Sequence, residues 1–199
     1  MDGLSNKTIK MGVDCLTHPI TFLINECFKQ SKFPNIFRLF KVIALYKKGD
    51  PCDPKNFRPI ALLNPISKVL EKEILRQMES HMVSNNLWND SMYAYRNHFN
   101  TINSMIDMVE IWTQNIDAHK QNITMFLDMS SAFDCVSRLT LEHKMSIYNF
   151  SQETINLVDS YLNYRSQFVS VGGKKSEILW VKSGVPQGSI LGQFFIIFT

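Results

Sequence analysis

The chain has 199 residues, 45% of them hydrophobic, and a net charge of +3. A chain of this length and composition can bury the core of one large domain or two small ones, which argues against a disordered or fibrous protein. The start is polar, not basic and then apolar, and no apolar run approaches the length of a membrane span, so secretion and membrane insertion are not expected.

Positive charge is concentrated in residues 28–76, which hold eleven Lys and Arg against four Asp and Glu, a net charge of +7, while the remainder carries −4. Such a basic block suits a phosphate-rich partner, and it equally suits an ordinary solvated surface. The four cysteines lie far apart without zinc-ligand spacing: Cys15, Cys27, Cys52 and Cys135. This pattern predicts a reduced, intracellular protein.

The first third of the chain predicts a helix, a strand and a cationic loop. Apolar residues at helical spacing predict a helix over residues 16–30, and residues 40–46 are a strand candidate. Residues 47–64 follow, with one glycine and three prolines that disfavour regular structure and with the cations Lys47, Lys48, Lys55 and Arg58. This segment is predicted to be a flexible loop that closes on phosphates, or a plain solvated loop.

Four more helices are predicted downstream. Apolar stripes mark residues 66–82 and 102–116, and the first stripe has Glu71, Lys72 and Glu73 on a charged outer face. Residues 137–149 and 151–163 are predicted to be helices that begin at the N-caps Ser137 and Ser151.

Two short β segments then flank a glycine turn. Residues 167–171 and 177–181 predict a β-hairpin around Gly172 and Gly173. The segment that follows, residues 183–192, contains Pro186 and closely spaced glycines, which let backbone approach a ligand, and Gln187 offers a donor and an acceptor at its tip. From Ile190 the sequence is apolar, which predicts a core element.

Residues 124–127 are β-branched and large apolar side chains, which predict a buried strand that ends at Asp128. A carboxylate there is costly to bury alone, so it caps the next turn, pairs with a base or holds a metal ion. The serines after Met129 favour the turn interpretation.

Three segments in this order resemble the reverse transcriptase domain of non-LTR (LINE-like) retrotransposons: KKGDPCDPKNFRPIALLNPISKVLEK, FLDMSSAFDCV and GVPQGSILG. The resemblance covers the chain from about residue 41 onward. It implies an α+β right-hand polymerase, with fingers and a partial palm and without the thumb. The implied division is an N-terminal helical extension over residues 1–39 and a reverse transcriptase domain over 40–199, mainly fingers at 40–120 and partial palm at 121–199.

By this resemblance the reaction is RNA-templated addition of deoxynucleotides to a primer 3′ hydroxyl, with two Mg²⁺ ions in the complete enzyme. The implied partners are an RNA template, a DNA primer and deoxynucleoside triphosphates, met in the cytoplasm or nucleus. Asp128 is the implied catalytic metal ligand, with the Met129 carbonyl as a further oxygen.

The resemblance also implies a nucleotide site. Arg58, assisted by Lys48 or Lys47, contacts the triphosphate, and Phe133 with Ala132 lies under the sugar, although both could simply pack a helix start. The remaining implied contacts, to the template nucleotide and the incoming base pair, come from Gln187 and Gly188.

The family's second metal-binding segment, an aromatic residue, any residue and two aspartates, is expected a few dozen residues after Gly188, beyond Thr199. The alternative hypothesis is therefore a catalytically inactive relic, at most a non-catalytic RNA-binding module.

Overall fold

A computed structural model describes residues 6–129 and 131–198 of the chain. The first five residues of the predicted N-terminal extension, Ser130 of the predicted turn and Thr199 lie outside the described residues. Within the described residues, no helix is both long enough and apolar enough to cross a lipid bilayer.

The described residues form α-helices, a mixed β-sheet and short 3₁₀ turns, which agrees with the predicted α+β class. The helices are α1 Asn6–Met11, α2 Val13–Gln30, α3 Pro65–Ser84, α4 Thr101–Asp117, α5 Ala132–Cys135, α6 Arg138–Ile147, α7 Gln152–Leu162 and α8 Ile190–Phe195. The strands are β1 Leu39–Tyr46, β2 Phe57–Leu62, β3 Ser166–Val171, β4 Lys174–Lys175 and β5 Leu179–Trp180. The predicted helices over residues 16–30, 66–82, 102–116, 137–149 and 151–163 are all confirmed.

The sheet joins strands from both halves of the chain. β1 pairs antiparallel with β2 and parallel with β3, which pairs antiparallel with β4 and β5. Gly172 and Gly173, at φ 56° and 80°, form a two-residue turn between β3 and β4. Two successive positive φ angles match the twist of a tight hairpin, so the predicted glycine turn is confirmed, with its second strand divided into β4 and β5.

The prediction that residues 47–64 form a loop is wrong for Phe57–Leu62, which form the strand β2. Ala61 donates its N–H to the carbonyl of Gln187, so its backbone points away from β1. Pro59, two residues earlier, points the same way, because strand residues alternate sides. Its missing N–H therefore lies on the edge of the sheet and removes no bond to β1, which is how an edge strand tolerates proline.

The main hydrophobic core lies among α2, α3, α6, α7 and α8. Its fully buried side chains include Phe33, Leu70, Leu141, Tyr161 and Phe195. Phe33 and Tyr161 meet edge to face, with ring centroids 4.8 Å apart. The apolar segment from Ile190 to Phe198 is part of this core, as the sequence predicted. A smaller cluster, Phe40, Ala61 and Leu63, lies against the sheet.

The prediction of a buried strand at residues 124–127 is wrong. Residues 120–129 lie outside helix and strand, and Phe126 and Leu127 are 77% and 86% exposed. Large apolar side chains favour a strand only when a neighbouring strand accepts the backbone bonds and a core covers one face. Neither β1–β5 nor the described helices supply that neighbour, and the apolar residues of α4, such as Ile102 and Ile106, are exposed as well.

Candidate functional site

The loop at residues 184–189 lies at the centre of the candidate site, and its tip rests on β2. The N–H of Ala61 donates to the carbonyl of Gln187 at 2.8 Å. Gly188 has φ +105°, and a Cβ atom there would lie 3.0 Å from the carbonyl of Ala61. Glycine is therefore required for this close approach. The exposed Arg58 lies on the same strand, three residues before Ala61, so the structure brings the loop beside the strand that carries the predicted triphosphate ligand.

The same loop contacts the segment that contains α5. Val185 donates its N–H to the carbonyl of Phe133 at 2.7 Å, and Gly184 donates to the carbonyl of Val136 at 3.0 Å. Phe133 is half-buried against the main core, and Ala132 beside it is half-buried too. The predicted residues Phe133, Gln187 and Gly188 are therefore joined through one backbone network, although Phe133 is more than 50 residues from the other two in sequence.

Two buried charged side chains hold the ends of this loop. Arg165 is 3% exposed; its guanidinium donates to the carbonyl of Gly184, and its Nε donates to the carbonyl of Leu162 at 3.0 Å. Glu71 is fully buried, and its Oε2 accepts the N–H of Ile190 at 2.9 Å. Because the loop begins at Gly184 and leads into α8 at Ile190, these two contacts fix both of its ends.

Two serine hydroxyl groups form hydrogen bonds at the end of the loop that leads into α8. The Ser189 hydroxyl donates to the carbonyl of Pro186 at 2.8 Å and accepts the N–H of Gly192 at 2.9 Å. Ser189 is therefore the N-cap of α8, and its hydroxyl also forms a hydrogen bond within the loop. The hydroxyl of Ser67 donates to Glu71 Oε1 at 3.2 Å, so both carboxylate oxygens have partners.

The prediction that Glu71 lies on the charged outer face of α3 is wrong. The buried residues of α3 are Ser67, Leu70, Glu71, Ile74, Met78 and Met82. Glu71 is four residues after Ser67 and three before Ile74, so it shares their face of the helix. That spacing is the signal in the sequence that could have identified it. Arg165 has no comparable signal, because it follows α7 in a short connection to β3.

Burial raises the pKa of the Glu71 carboxyl to about 7, and the hydrogen bonds from the Ile190 amide and the Ser67 hydroxyl oppose this rise without cancelling it. Lys68 on the same helix also favours the ionised form. Facing it from α7, Tyr161 is fully buried, and its burial and the neighbouring Glu71 charge raise the pKa of its hydroxyl. The carboxyl therefore titrates near neutral pH.

The connection between β1 and β2, predicted to be flexible, is held by hydrogen bonds. Asp50 accepts the Cys52 N–H at 2.8 Å, Asp53 accepts the Lys55 N–H at 2.9 Å, and the Asn56 side chain donates to the carbonyl of Asp50 at 2.9 Å. Asp side chains stabilise turns in this way. Lys48 is exposed on this connection, at the end of the hairpin that carries Arg58.

Among the residues that the structure describes, no metal centre forms around Asp128. Asp128 and Met129 are both exposed, in the irregular segment that precedes α5. In residues 6–129 and 131–198, no three His, Cys, Asp or Glu side chains come together as a possible metal site. The oxygen ligands are of the type that Mg²⁺ prefers, but one carboxylate and one carbonyl do not complete its shell.

Comparison with known proteins finds one matching family model and several similar proteins. A family model described as reverse transcriptase (RNA-dependent DNA polymerase) matches residues 46–198. The chain is 28% identical over 192 residues to the RNA-directed DNA polymerase from mobile element jockey of Drosophila melanogaster, covering 96% of this chain and 21% of that protein. From the same species, the probable RNA-directed DNA polymerase from transposon X-element is 30% identical over 192 residues, with the same coverage.

A third relative, the probable RNA-directed DNA polymerase from transposon BS of Drosophila melanogaster, is 27% identical over 202 residues. The match covers 100% of this chain and 22% of that protein. The chain thus spans about a fifth of the length of the curated relatives it matches.

Two glycines with similar φ angles test the packing of the loop. Gly184 and Gly173 have φ +77° and +80°, but a Cβ at Gly184 would lie 2.7 Å from the carbonyl of Phe133, whereas nothing lies within 4 Å at Gly173. Gly173→Ala should cost about 1 kcal/mol of unfolding free energy, the penalty of the positive φ alone. Gly184→Ala should cost about 1–3 kcal/mol more, because backbone must move. Urea denaturation measures both, and equal losses would contradict the packing.

The pH dependence of stability tests the burial of Glu71. Folding raises its pKa from 4.5 to about 7, so the folded state binds more protons in this range. The free energy of unfolding should therefore fall as pH rises from 4.5 to 7, by at most about 3 kcal/mol, and Glu71→Gln should remove this fall. Glu73→Gln is the control: Arg76 lowers the pKa of Glu73 to about 2, so Glu73 is ionised in the folded protein over this range and its replacement should not remove the fall. A wild-type slope retained in Glu71→Gln would contradict the assignment.

Proposed function

The chain belongs to the reverse transcriptase (RNA-dependent DNA polymerase) family, and we propose that it forms part of an enzyme that copies RNA by adding deoxynucleotides to a primer 3′ hydroxyl. The observation that carries the proposal is the hydrogen bond from Ala61 to Gln187, which sets the loop against the strand of Arg58. The relatives are much longer than this chain, which covers only about a fifth of their length. The proposed activity is therefore that of the complete protein.

Each predicted residue takes one role in this proposal. The exposed guanidinium of Arg58 binds the triphosphate of the incoming nucleotide, since its planar fork matches phosphate oxygens, and Lys48 adds a second cation. Phe133 and Ala132 lie under the sugar, where an aromatic ring excludes a 2′ hydroxyl by steric contact. The template nucleotide and the incoming base pair approach the loop at Gln187 and Gly188, where glycine lets the loop lie close against β2.

We assign Asp128 and the Met129 carbonyl as the oxygen ligands that this chain contributes to a Mg²⁺ site. When bound, divalent ions lower the pKa of the primer hydroxyl and stabilise charge on the leaving pyrophosphate. The exposure of Asp128 is compatible with this role, because a free carboxylate can still accept an ion. The other ligands would come from outside the described residues.

We further propose the division inferred from the sequence, with residues 1–39 as a helical extension, 40–120 mainly as fingers and 121–199 as part of the palm. The basic surface of Arg58 and Lys48 supports the fingers assignment, and the contact between the α5 segment and the loop supports the palm assignment. RNA template, DNA primer and deoxynucleoside triphosphates are the proposed partners, met in the cytoplasm or nucleus.

One observation favours a second candidate function, a non-catalytic RNA-binding module. Among the described residues, Asp128 belongs to no group of three or more His, Cys, Asp or Glu side chains that could hold a metal ion. Such a module would use the cations of the β1–β2 hairpin to bind phosphates and would perform no chemistry. The two functions share RNA binding and differ in primer extension.

Primer extension by the complete protein decides between them. Asp128→Asn removes the carboxylate charge with little change in shape, so extension with Mg²⁺ should fall at least 100-fold if Asp128 is a metal ligand. Asp117→Asn, an exposed residue at the end of α4, is the matched control and should retain activity. Unchanged extension in Asp128→Asn would remove Asp128 from the site, and a wild-type protein without extension would favour the RNA-binding module.

A further inference from the structure

A cluster of buried polar side chains joins α3, α7 and the end of the loop at residues 184–189. Its members are almost entirely buried: Ser67, Glu71, Tyr161 and Ser189. Glu71 Oε2 accepts the N–H of Ile190 at 2.9 Å, and Ser67 donates to Glu71 Oε1 at 3.2 Å. Glu71 is thus the acid through which α3 contacts the end of the loop.

The charge of the Glu71 carboxylate has no direct counter-ion. None of the ion pairs among the described residues includes it. The exposed Lys68 on the same helix favours the ionised form, but burial outweighs it. The guanidinium of Arg165 donates to the carbonyls of Gly184 and Leu162 instead, and α8 carries no titratable side chain. A buried charge with hydrogen bonds but without a counter-ion is destabilised relative to the same charge in water.

The hydroxyl of Tyr161 is an unsatisfied group beside this carboxylate. It is fully buried and forms no hydrogen bond of normal geometry. Burial raises the pKa of this hydroxyl, the Glu71 charge adds to the rise and Ser189 opposes it, so both groups are near. A protonated Glu71 can donate to the hydroxyl oxygen while its other oxygen accepts the Ile190 N–H. The neutral carboxyl can therefore be satisfied inside the closed cluster.

The layer of chain between Glu71 and solvent is thin on the loop side. Ile190, whose N–H binds Glu71, also lines an open groove beside α3 with a volume of about 440 Å³, and Ser189 lines the same groove. The charged side chains that line this groove are Glu79 and Arg96. A displacement of Ser189 and Ile190 would therefore let water reach the carboxylate while α3 and α7 stay packed.

The protonation state of Glu71 determines how favourable this displacement is. Burial raises the pKa of the closed carboxyl from 4.5 to about 7, and hydration in an open arrangement removes this rise. The closed arrangement therefore binds the proton more tightly than the open one. Rising pH shifts the equilibrium toward the arrangement that binds fewer protons, which is the open one.

We propose that Glu71 is a positioning residue whose protonation holds the loop at residues 184–189 closed and whose ionisation favours release of the loop. The functional consequence rests on the proposed function. In the open arrangement Gln187 and Gly188 leave their place against β2, so the nucleotide and template contacts assigned to them are lost. Nucleotide binding should therefore weaken as pH rises.

Amide hydrogen exchange of the 199-residue chain, measured residue by residue between pH 5 and 8, tests the release of the loop. Protection factors are used because they remove the base catalysis of exchange itself. The protection of Ile190 and Gly192, whose amides bind Glu71 and Ser189, should fall as pH rises from 5 to 7, by up to about tenfold per pH unit. The amide of Leu141 in α6 should stay more protected at every pH, because the release is local.

Variants of α3 assign the effect to Glu71. Glu71→Gln is neutral at every pH, so the protection of Ile190 should no longer depend on pH. Ser67→Ala removes a donor that favours the ionised carboxyl, so the fall in protection should extend to higher pH than in the wild type. Glu79→Gln is the matched control, since it replaces an acid of the same helix at the same groove, and it should keep the wild-type pH dependence.

Three results would overturn the proposal. Equal protection of Ile190 and Leu141 at every pH would mean that the loop opens only when the whole chain unfolds. A pH dependence that survives in Glu71→Gln would assign the effect to another group. If Glu71→Gln does not fold, Ser67→Ala decides, and an unshifted pH range in that variant would overturn the proposal.

Primer extension by the complete protein tests the functional consequence separately. The KM for deoxynucleoside triphosphate, relative to that of Glu71→Gln, should rise about twofold or more between pH 6 and 8 with an unchanged ratio of kcat values, because only the closed loop binds nucleotide. A constant KM ratio would overturn the positioning role, even where exchange shows release. Absence of extension at every pH would overturn the proposed function, and the exchange experiment would still decide whether ionisation releases the loop.

Discussion

The placement of the candidate site depends on the buried carboxylate of Glu71. A buried acid is costly unless donors surround it, and here the Ile190 amide and the Ser67 hydroxyl supply them. Since the Ile190 amide is at the first turn of α8, the carboxylate also meets the positive end of that helix. Together with Arg165 at Gly184, this contact determines where the loop between them can lie.

A fixed loop organises surfaces that are distant in sequence. One side of it meets Ala61 on β2, its beginning meets Phe133 and Val136, and Gly188 and Ser189 face a groove beside α3. Loops that carry function are commonly positioned by a rigid scaffold in this way. Asp128 and Met129 are the exceptions among the predicted site residues, because their segment lies exposed and has no neighbouring strand among the described residues. The chain thus brings together the residues that we propose to contact nucleotide and template more completely than those that we propose to hold metal ions.

Local signals in the sequence predicted most of the elements, and tertiary context explains the errors. The caps Ser137 and Ser151 and the Gly172–Gly173 turn act within a few residues, so they were read correctly. The sequence did not predict β2 because Pro59 disfavours a strand unless that strand lies at the edge of a sheet. The order of the strands in the sheet cannot be read from the sequence. Residues 124–127 have strand propensity but lack a partner strand in the described part of the chain, and Glu71 is buried where the Ile190 amide of α8 donates to it.

The most direct test of this account is amide hydrogen exchange of the 199-residue chain, with and without an RNA template annealed to a DNA primer. The account predicts slower exchange in both Phe57–Leu62 and residues 184–189 when the nucleic acid is bound, because these segments form one surface. Exchange within the exposed helix Thr101–Asp117 should not change. Bound nucleic acid that protects other segments and leaves both of these unchanged would contradict the account.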